Sequence, residues 1–299
     1  MIKYLSLFSG IGAFEKALER LNIPFELIGY CEIDKYASKA YSLLHKVPES
    51  MNFGNITKLN ERELPDDIDL ITYGFPCQDI SHAGHQKGLL NEDGTKTRSG
   101  LFFDALRIIE HTQPKIAIAE NVKNLTSSKF NEQFSIILQG LADAGYNNYW
   151  KVLNAKDYEI PQNRERVLIV SIRKDIDTGI FEFPKPVELQ LRLRDLLEDM
   201  VDEKYYVNPE RVKALTAQLT DKQISNAVRG DKGSINRHQW VGCSTEVMKV
   251  GDTGEHQKDG IYDPNGISAT LLSSHYRQPI QIIERNEQIE RRYRNHILG

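Results

Sequence analysis

The chain has 299 residues, of which 40% are hydrophobic and 27% charged, and its net charge is −4. These values are ordinary for a globular protein, and no apolar run approaches the roughly 20 residues that a membrane helix needs. The three cysteines stand at unrelated spacings, which argues against a disulfide framework and favours a reducing, cytoplasmic compartment. So small a charge gives no sign of a polyanionic partner, although local basic clusters could still bind one.

The first two-thirds of the chain alternate apolar strand patterns with amphipathic helix patterns. We predict strands at Lys3–Phe8, Phe25–Cys31, Leu70–Gly74, Lys115–Ala119, Trp150–Asn154 and Val167–Ile172, and helices at Phe14–Leu21, Lys35–Leu44 and Leu101–His111. Apolar strands separated by helices predict an α/β fold with a doubly wound, mostly parallel sheet. In such sheets ligands bind at the carboxyl ends of the strands, where Glu32, Cys77 and Glu120 are expected.

The composition of the chain changes after Pro186. Short helices are predicted at Leu191–Asp199 and Pro209–Leu219, and from Ser225 onward Gly, Asn, Asp and His dominate. We therefore expect a catalytic domain at residues 1–185, a smaller loop-rich domain at 186–280 and a charged tail at 281–299.

A glycine-containing turn, F-S-G-I-G-A-F-E, joins the first strand to the first helix. Gly10 and Gly12 allow a tight turn whose backbone N–H groups can approach a cofactor, although a plain strand–helix turn fits equally well. Glu32 follows the second strand, and a carboxylate there suits ribose hydroxyls, while Asp34 suits a helix cap. The glycine turn and Glu32 together predict a ligand that contains adenosine. We expect this ligand to carry little phosphate, because no Lys or Arg lies in the turn.

Cys77 follows Pro76 at the end of the third strand, and Glu120 follows the next strand. From position alone Cys77 could be a small core residue, a metal ligand or a nucleophile. A metal site would use Cys77, His82 and His85, but they lie in a Gly-rich loop without a second cysteine pair, which argues against a metal. A thiolate beside an acid can attack a substrate that the acid protonates. For Cys31 and Cys243 a core or surface position is expected.

Six motifs occur in a fixed order along the first 175 residues. They are F-S-G-I-G-A-F, E-I-D, G-F-P-C-Q-D-I-S, S-G-L-F, E-N-V and Q-N-R-E-R. In this order they resemble the DNA (cytosine-5)-methyltransferases. The later segment Gly260–Leu271 resembles the end of that family's target-recognition region.

The resemblance implies an enzyme with a Rossmann-like fold that methylates carbon 5 of a flipped-out cytosine in double-stranded DNA. Cys77 would add to carbon 6 of the base, and Glu120 would protonate ring nitrogen 3. Arg164 and Arg166 would hold the base and the cysteine loop. The loop Ser81–Lys96 would close over the base as a mobile lid. In a bacterium such an enzyme would act at the nucleoid.

The resemblance also implies S-adenosylmethionine as the methyl donor. Its pocket would be formed by Phe8, Gly10, Gly12, Glu32, Asn55, Ile56, Pro76 and Leu101, with Glu32 on the ribose and no metal. Asn55 departs from the family, which usually has aspartate there to accept from the adenine amino group. We expect its amide to accept through the oxygen instead.

The end of the sequence departs further from the family pattern. The family continues with R-x-L-x-P-x-E and G-N-x-V segments, whereas this sequence ends in I-E-R-R-Y-R-N-H-I-L-G. We expect either a second polypeptide that supplies them or a truncated relative. Arg291, Arg292 and Arg294 would bind that partner or DNA phosphates, or form a solvated helix face. Two alternatives remain: an RNA cytosine methyltransferase and a catalytically weak DNA-binding or regulatory relative.

Overall fold

The structure is a computed structural model that describes residues 1–76, 89, 95, 97–196, 249–252, 260–262 and 281–282. The chain divides into two compact units, Met1–Leu153 with Glu165–Pro184 and Asn154–Arg164 with Lys185–Gly299. The helices and longer strands are β1 (Ile2–Leu7), α1 (Ala13–Arg20), β2 (Phe25–Cys31), α2 (Lys35–His45), β3 (Leu70–Tyr73), α3 (Phe102–Thr112), β4 (Ile116–Val122), α4 (Asn131–Asp143), β5 (Tyr146–Asn154) and β6 (Glu165–Arg173).

Six strands form one sheet in the order β2-β1-β3-β4-β6-β5. The neighbours β2, β1, β3 and β4 run parallel, and their registers place Cys31, Leu7, Tyr73 and Ala119 side by side. The predicted α/β fold with a mostly parallel sheet is confirmed. Strand β6 is the exception, because it pairs with β4 in the antiparallel direction. The segments that follow β1, β2, β3 and β4 therefore share one edge of the sheet.

The core of the first unit lies where the sheet meets α3 and α4. Leu5, Ile71 and Ala117 on the central strands are fully buried, as are Ile108 of α3 and Ile137 of α4. Such burial on neighbouring parallel strands explains their nearly continuous apolar sequences.

Helix α4 was not predicted, although its sequence carries a signal. Phe134, Ile137 and Leu141 are its buried residues, and they recur at the three- and four-residue spacing of a helix face. The other elements start and end within a few residues of the predicted bounds. Strand β4 continues to Val122, so that Glu120 lies inside the strand and not after it.

In the second unit, three short strands form a separate sheet: β7 (Lys249–Asp252), β8 (Gly260–Tyr262) and β9 (Gln281–Ile282), in the order β7-β8-β9. Of the predicted helix Leu191–Asp199, the described part contains a single 3-10 turn at Leu193–Leu196. The predicted helix Pro209–Leu219 and the arginines of the tail lie outside the described residues. None of the described helices is long and apolar enough to cross a membrane.

Candidate active site

The glycine turn lies between β1 and α1 and is held by one hydrogen bond to the end of β2 and by one within the turn. The Ser9 N–H donates to the carbonyl of Cys31 at 3.0 Å, and the Gly12 N–H donates to the carbonyl of Ser9 at 2.9 Å. Phe8, Gly10 and Gly12 all have positive φ angles, of 54°, 55° and 83°. A Cβ atom on Gly12 would lie 2.2 Å from a ring nitrogen of His45, so that only glycine fits there.

One hydroxyl of this turn is buried and has no partner in the part of the chain that the structure describes. Ser9 Oγ has almost no solvent exposure and makes no hydrogen bond among the described residues. Buried polar atoms are nearly always paired, so an orphan of this kind is a candidate contact for a ligand.

Glu32 follows β2 and joins the glycine turn to the neighbouring strand end. Its Oε2 accepts from the Gly10 N–H at 2.9 Å, and its Oε1 accepts from the Asp34 N–H at 2.7 Å. The side chain of Asn52 accepts from the Glu32 N–H at 3.0 Å and donates to the Glu32 carbonyl at 2.9 Å. Asp34 instead caps α2, as expected, by accepting two N–H groups of its first turn. No motif in the sequence marks Asn52.

Asn55 begins a short 3-10 helix, Ile56–Lys58. Its Oδ1 accepts from both the backbone N–H and the hydroxyl of Thr57, each at 3.1 Å. The oxygen that was expected to accept a hydrogen bond from adenine therefore already accepts two from Thr57. The NH2 group of the Asn55 amide can only donate. The Ile56 side chain is buried in the core, and its carbonyl accepts from Arg107 at 3.1 Å.

Glu120 and Arg166 form an ion pair near the end of β4. Oε1 of Glu120 lies 2.8 Å from Nε of Arg166, and the two side chains are 30% and 21% exposed. Oε2 of Glu120 lies 3.6 Å from the position that a Cβ of Gly74 would occupy. The carboxylate therefore lies against the segment that leads from β3 to Pro76, the last described residue before Cys77.

Asn121 joins the ends of β3 and β4 and was missed as a site residue, although the E-N-V motif contains it. Its side chain is buried, and its Nδ2 donates to the carbonyl of Phe75 at 3.2 Å. Its Oδ1 accepts from the Val122 N–H at 2.8 Å. Asn121 thereby fixes the backbone directly ahead of Pro76.

The remaining site residues are placed as follows. Leu101 ends a short 3-10 helix, Ser99–Leu101, and packs against the core. Pro76 is half-buried. Arg164 belongs to the second unit, where its N–H donates to Asn154 Oδ1 at 3.0 Å and its carbonyl accepts from the Ala155 N–H at 3.0 Å.

Several predicted residues are not described by the structure. Cys77, His82, His85, Cys243 and most of the loop Ser81–Lys96 lie outside the described residues. Cys31 is described, and burial followed by the nearby Glu32 charge raises the pKa of its thiol to about 12. Cys31 is buried in the core of the first unit, so of the two positions expected for it, core or surface, it occupies the core.

The sequence profile of the C-5 cytosine-specific DNA methylases matches residues 2–296. The chain belongs to this family. It is 33% identical to an orphan methyltransferase, M.SPRI, of Bacillus phage SPR, in an alignment that covers 91% of this chain and 64% of the phage protein. It is 34% identical to the type II methyltransferase M.HhaI of Haemophilus parahaemolyticus, over 90% of this chain and 73% of that enzyme.

Two further comparisons concern length and fold. The chain spans 64% of the length of M.SPRI and 58% of the orphan methyltransferase M.Rho11sI of Bacillus phage rho11s, to which it is 35% identical over 91% of its own length. The Dnmt2 methyltransferase of S. pombe has a similar structure, with a TM-score of 0.62, 21% identity, and coverage of 99% of this chain and 82% of that one. At this identity the likeness shows the fold, here the Rossmann-like methyltransferase fold.

Proposed function

We propose that the chain transfers a methyl group from S-adenosylmethionine to carbon 5 of a cytosine in double-stranded DNA. The observation that carries this proposal is the Glu120–Arg166 pair, which lies against Gly74 on the sheet edge that also holds the glycine turn. Glu120 is oriented by the guanidinium of Arg166 and lies against the segment that leads to Pro76-Cys77. An acid in this position suits a reaction that needs a nucleophile and a proton donor. The match to the C-5 cytosine-specific DNA methylases supports the same substrate, and the relatives named as orphan and type II methyltransferases support the same reaction.

The residues of the glycine turn fit the methyl donor. Each oxygen of Glu32 accepts one backbone hydrogen bond, and a carboxylate has about four acceptor sites, so two remain for ribose hydroxyls. The buried hydroxyl of Ser9 offers a further polar contact. The bound donor would supply an electrophilic methyl group on a sulfonium. Phe8, Gly10 and Gly12 would shape its pocket, with Ile56 and Leu101 as further walls.

Cys77 and Glu120 would activate the cytosine. The Cys77 thiolate adds to carbon 6, the displaced electrons reach ring nitrogen 3, and Glu120 donates a proton there. Carbon 5 thereby becomes nucleophilic and takes the methyl group. Loss of the carbon 5 proton to a base then restores the ring double bond and expels the thiolate, and Glu120 takes back the proton from nitrogen 3. The base must leave the stack first, because a duplex hides carbon 6.

Arg166 would keep Glu120 in place through the reaction. A charge-assisted hydrogen bond to Oε1 fixes the orientation of the carboxyl group, so that the other oxygen points toward Gly74. A contact of Arg164 with the base, and the division of the chain into a catalytic domain, a target-recognition domain and a tail, stay predictions.

Cys77→Ser tests the nucleophile. A hydroxyl is far less nucleophilic than a thiolate at neutral pH, so methyl transfer should be abolished while duplex binding remains. Duplex DNA with a mechanism-trapping cytosine analogue should form a covalent adduct with the unmodified protein and with the matched control Cys31→Ala. An adduct with Cys77→Ser would contradict the assignment. Adducts with RNA alone would favour the RNA alternative, and duplex binding without any adduct would favour the catalytically weak one.

A second polypeptide over the donor pocket also stays a prediction. Ile11, Ile33 and Tyr36 flank the glycine turn and the Glu32 segment, and all three are exposed. Exposed apolar side chains in one region support a surface that another segment covers. Calorimetric titration of the donor into the purified chain, together with a methyl-transfer assay, tests this point. Tight binding with full turnover by the chain alone would show that it needs no partner.

A further inference from the structure

A buried histidine ring lies beneath the glycine turn. His45 is the last residue of α2, and its side chain is only 5% exposed. The ring packs on Tyr41, with 4.7 Å between the ring centroids, and directly against Gly12. Nothing in the sequence marks this residue, because it lies 34 positions from Ile11, the turn residue that it contacts.

Both ring nitrogens of His45 face hydrogen-bond acceptors. Nε2 lies 3.0 Å from the carbonyl oxygen of Ile11, and Nδ1 lies 3.0 Å from Oε1 of Glu19. A carbonyl and an ionised carboxylate only accept, so the ring satisfies both contacts when both nitrogens carry a proton. The pKa of Glu19 lies below its ordinary value because Lys16 and then His45 donate to it, which keeps this carboxylate ionised.

The charged groups around the ring are mixed, since two acids favour a cation there and two lysines oppose one. From α1, Glu19 contacts the ring, Lys16 pairs with the far oxygen of Glu19, and the buried Glu15 accepts from the Tyr41 hydroxyl. From α2, the carbonyl end of the helix dipole favours a positive charge at its last residue. Lys46, which follows directly, opposes one.

We propose that His45 is a positioning residue for the methyl donor, an imidazolium that ties the glycine turn to α1. The role in donor binding rests on the proposed function. Ile11 and Gly12 precede the first residue of α1, so no helical hydrogen bond orients the Ile11 carbonyl. The bond from Nε2 orients it, and with it the neighbouring peptide groups of Gly10 and Gly12 that would face the donor.

Two measurements that need no donor test the turn itself. Nitrogen NMR should show a proton on both ring nitrogens of His45, because each of them faces a hydrogen-bond acceptor. The signal is assigned by its loss in His45→Gln. In His45→Leu, hydrogen exchange at the Gly10 and Gly12 amides should be faster by about fivefold or more, because the turn loses a hydrogen bond. A neutral ring, or unchanged exchange, would overturn the proposal.

Donor binding tests the second half of the proposal. His45→Leu should weaken calorimetric binding of S-adenosylmethionine by about five- to tenfold, with little change in turnover at saturating donor. His45→Gln retains an amide donor for Ile11 and should recover part of the affinity. The matched control is His111→Gln on the exposed end of α3, which should bind like the unmodified protein.

The results separate this proposal from the proposed function. Equal donor binding by His45→Leu and wild type would overturn the positioning role. A wild type that binds no donor while His45→Leu still exchanges faster would contradict the proposed function and support the role of His45 in the turn.

Discussion

Replacing Asn55 by aspartate should tighten binding of the methyl donor. The single side-chain oxygen of Asn55 already accepts twice from Thr57, and its amide nitrogen only donates. Aspartate and asparagine are equally good at capping a helix, so Asn55→Asp keeps the cap. The second carboxylate oxygen would stand where the amide nitrogen is now, and the adenine amino group would meet an acceptor in place of a donor.

The size of the gain follows from the exposure of the site. A hydrogen bond to a charged acceptor contributes about 1.5–3 kcal/mol, and water competes at an exposed position such as Asn55, which leaves about 1–1.5 kcal/mol. This range corresponds to roughly five- to tenfold tighter binding. Calorimetric titration of S-adenosylmethionine into the purified protein and the variant measures it.

Asn60→Asp is the matched control for Asn55→Asp. Asn60 caps the neighbouring short helix Glu61–Glu63 by accepting from the Arg62 N–H, and its replacement adds the same charge. We expect unchanged donor affinity in this variant. Equal tightening in both variants would point to net charge as the cause, and no tightening in Asn55→Asp would refute the reasoning about its oxygen.

Three further changes probe the structure around the site. Arg107→Met removes the hydrogen bonds that Arg107 donates to the carbonyls of Ile56 and Leu59. The free energy of unfolding, measured with denaturant, should fall by about 1–3 kcal/mol, and the KM for S-adenosylmethionine should rise; an unchanged KM would contradict this. Lys115 holds the pKa of Asp69 below its usual value, so this pair stabilises the folded protein at neutral pH, and that contribution is lost as the pH falls below about 4. In thermal unfolding, the midpoint of Asp69→Asn should therefore fall less steeply with acidification than that of the unmodified protein, and an equally steep fall would refute the linkage. Gly12→Ala would place a Cβ against the His45 ring at a φ of 83°, so it should lower the free energy of unfolding by about 1–3 kcal/mol, measured by thermal unfolding. An unchanged unfolding midpoint would show that the turn adapts.

Local patterns in the sequence sufficed for most strand ends and for the position of the glycine turn. The strand Phe25–Cys31 was predicted with its observed bounds, because apolar runs and turn residues are properties of neighbouring positions. Glu32 and Glu120 follow from the same reasoning, since parallel strands bring their carboxyl ends to one edge. Confirmation of Cys77 awaits the trapping experiment.

The contacts that support the site were not predictable in this way. The ring of His45 meets Ile11, and Asn121 meets Phe75, across 34 and 46 positions of the chain. Hydrogen bonds of this kind depend on how helices and strands pack, and no spacing within one segment encodes them. The double use of the Asn55 oxygen likewise depends on the rotamer of Thr57 in the folded chain.

The ion pair between Glu120 and Arg166 depends on the register in which β6 pairs antiparallel to β4. Arg166 pairs with Val122, and Glu120 pairs with Leu168, so Arg166 and Glu120 project from the same face of the sheet. The residues beside Arg166 are Glu165 and Val167. A slip of β6 by one residue would bring either a carboxylate or an apolar side chain up to Glu120. An inserted or deleted residue within β6 would therefore reverse or remove the charge opposite the acid, whereas a change of length before Glu165 would leave the pairing intact.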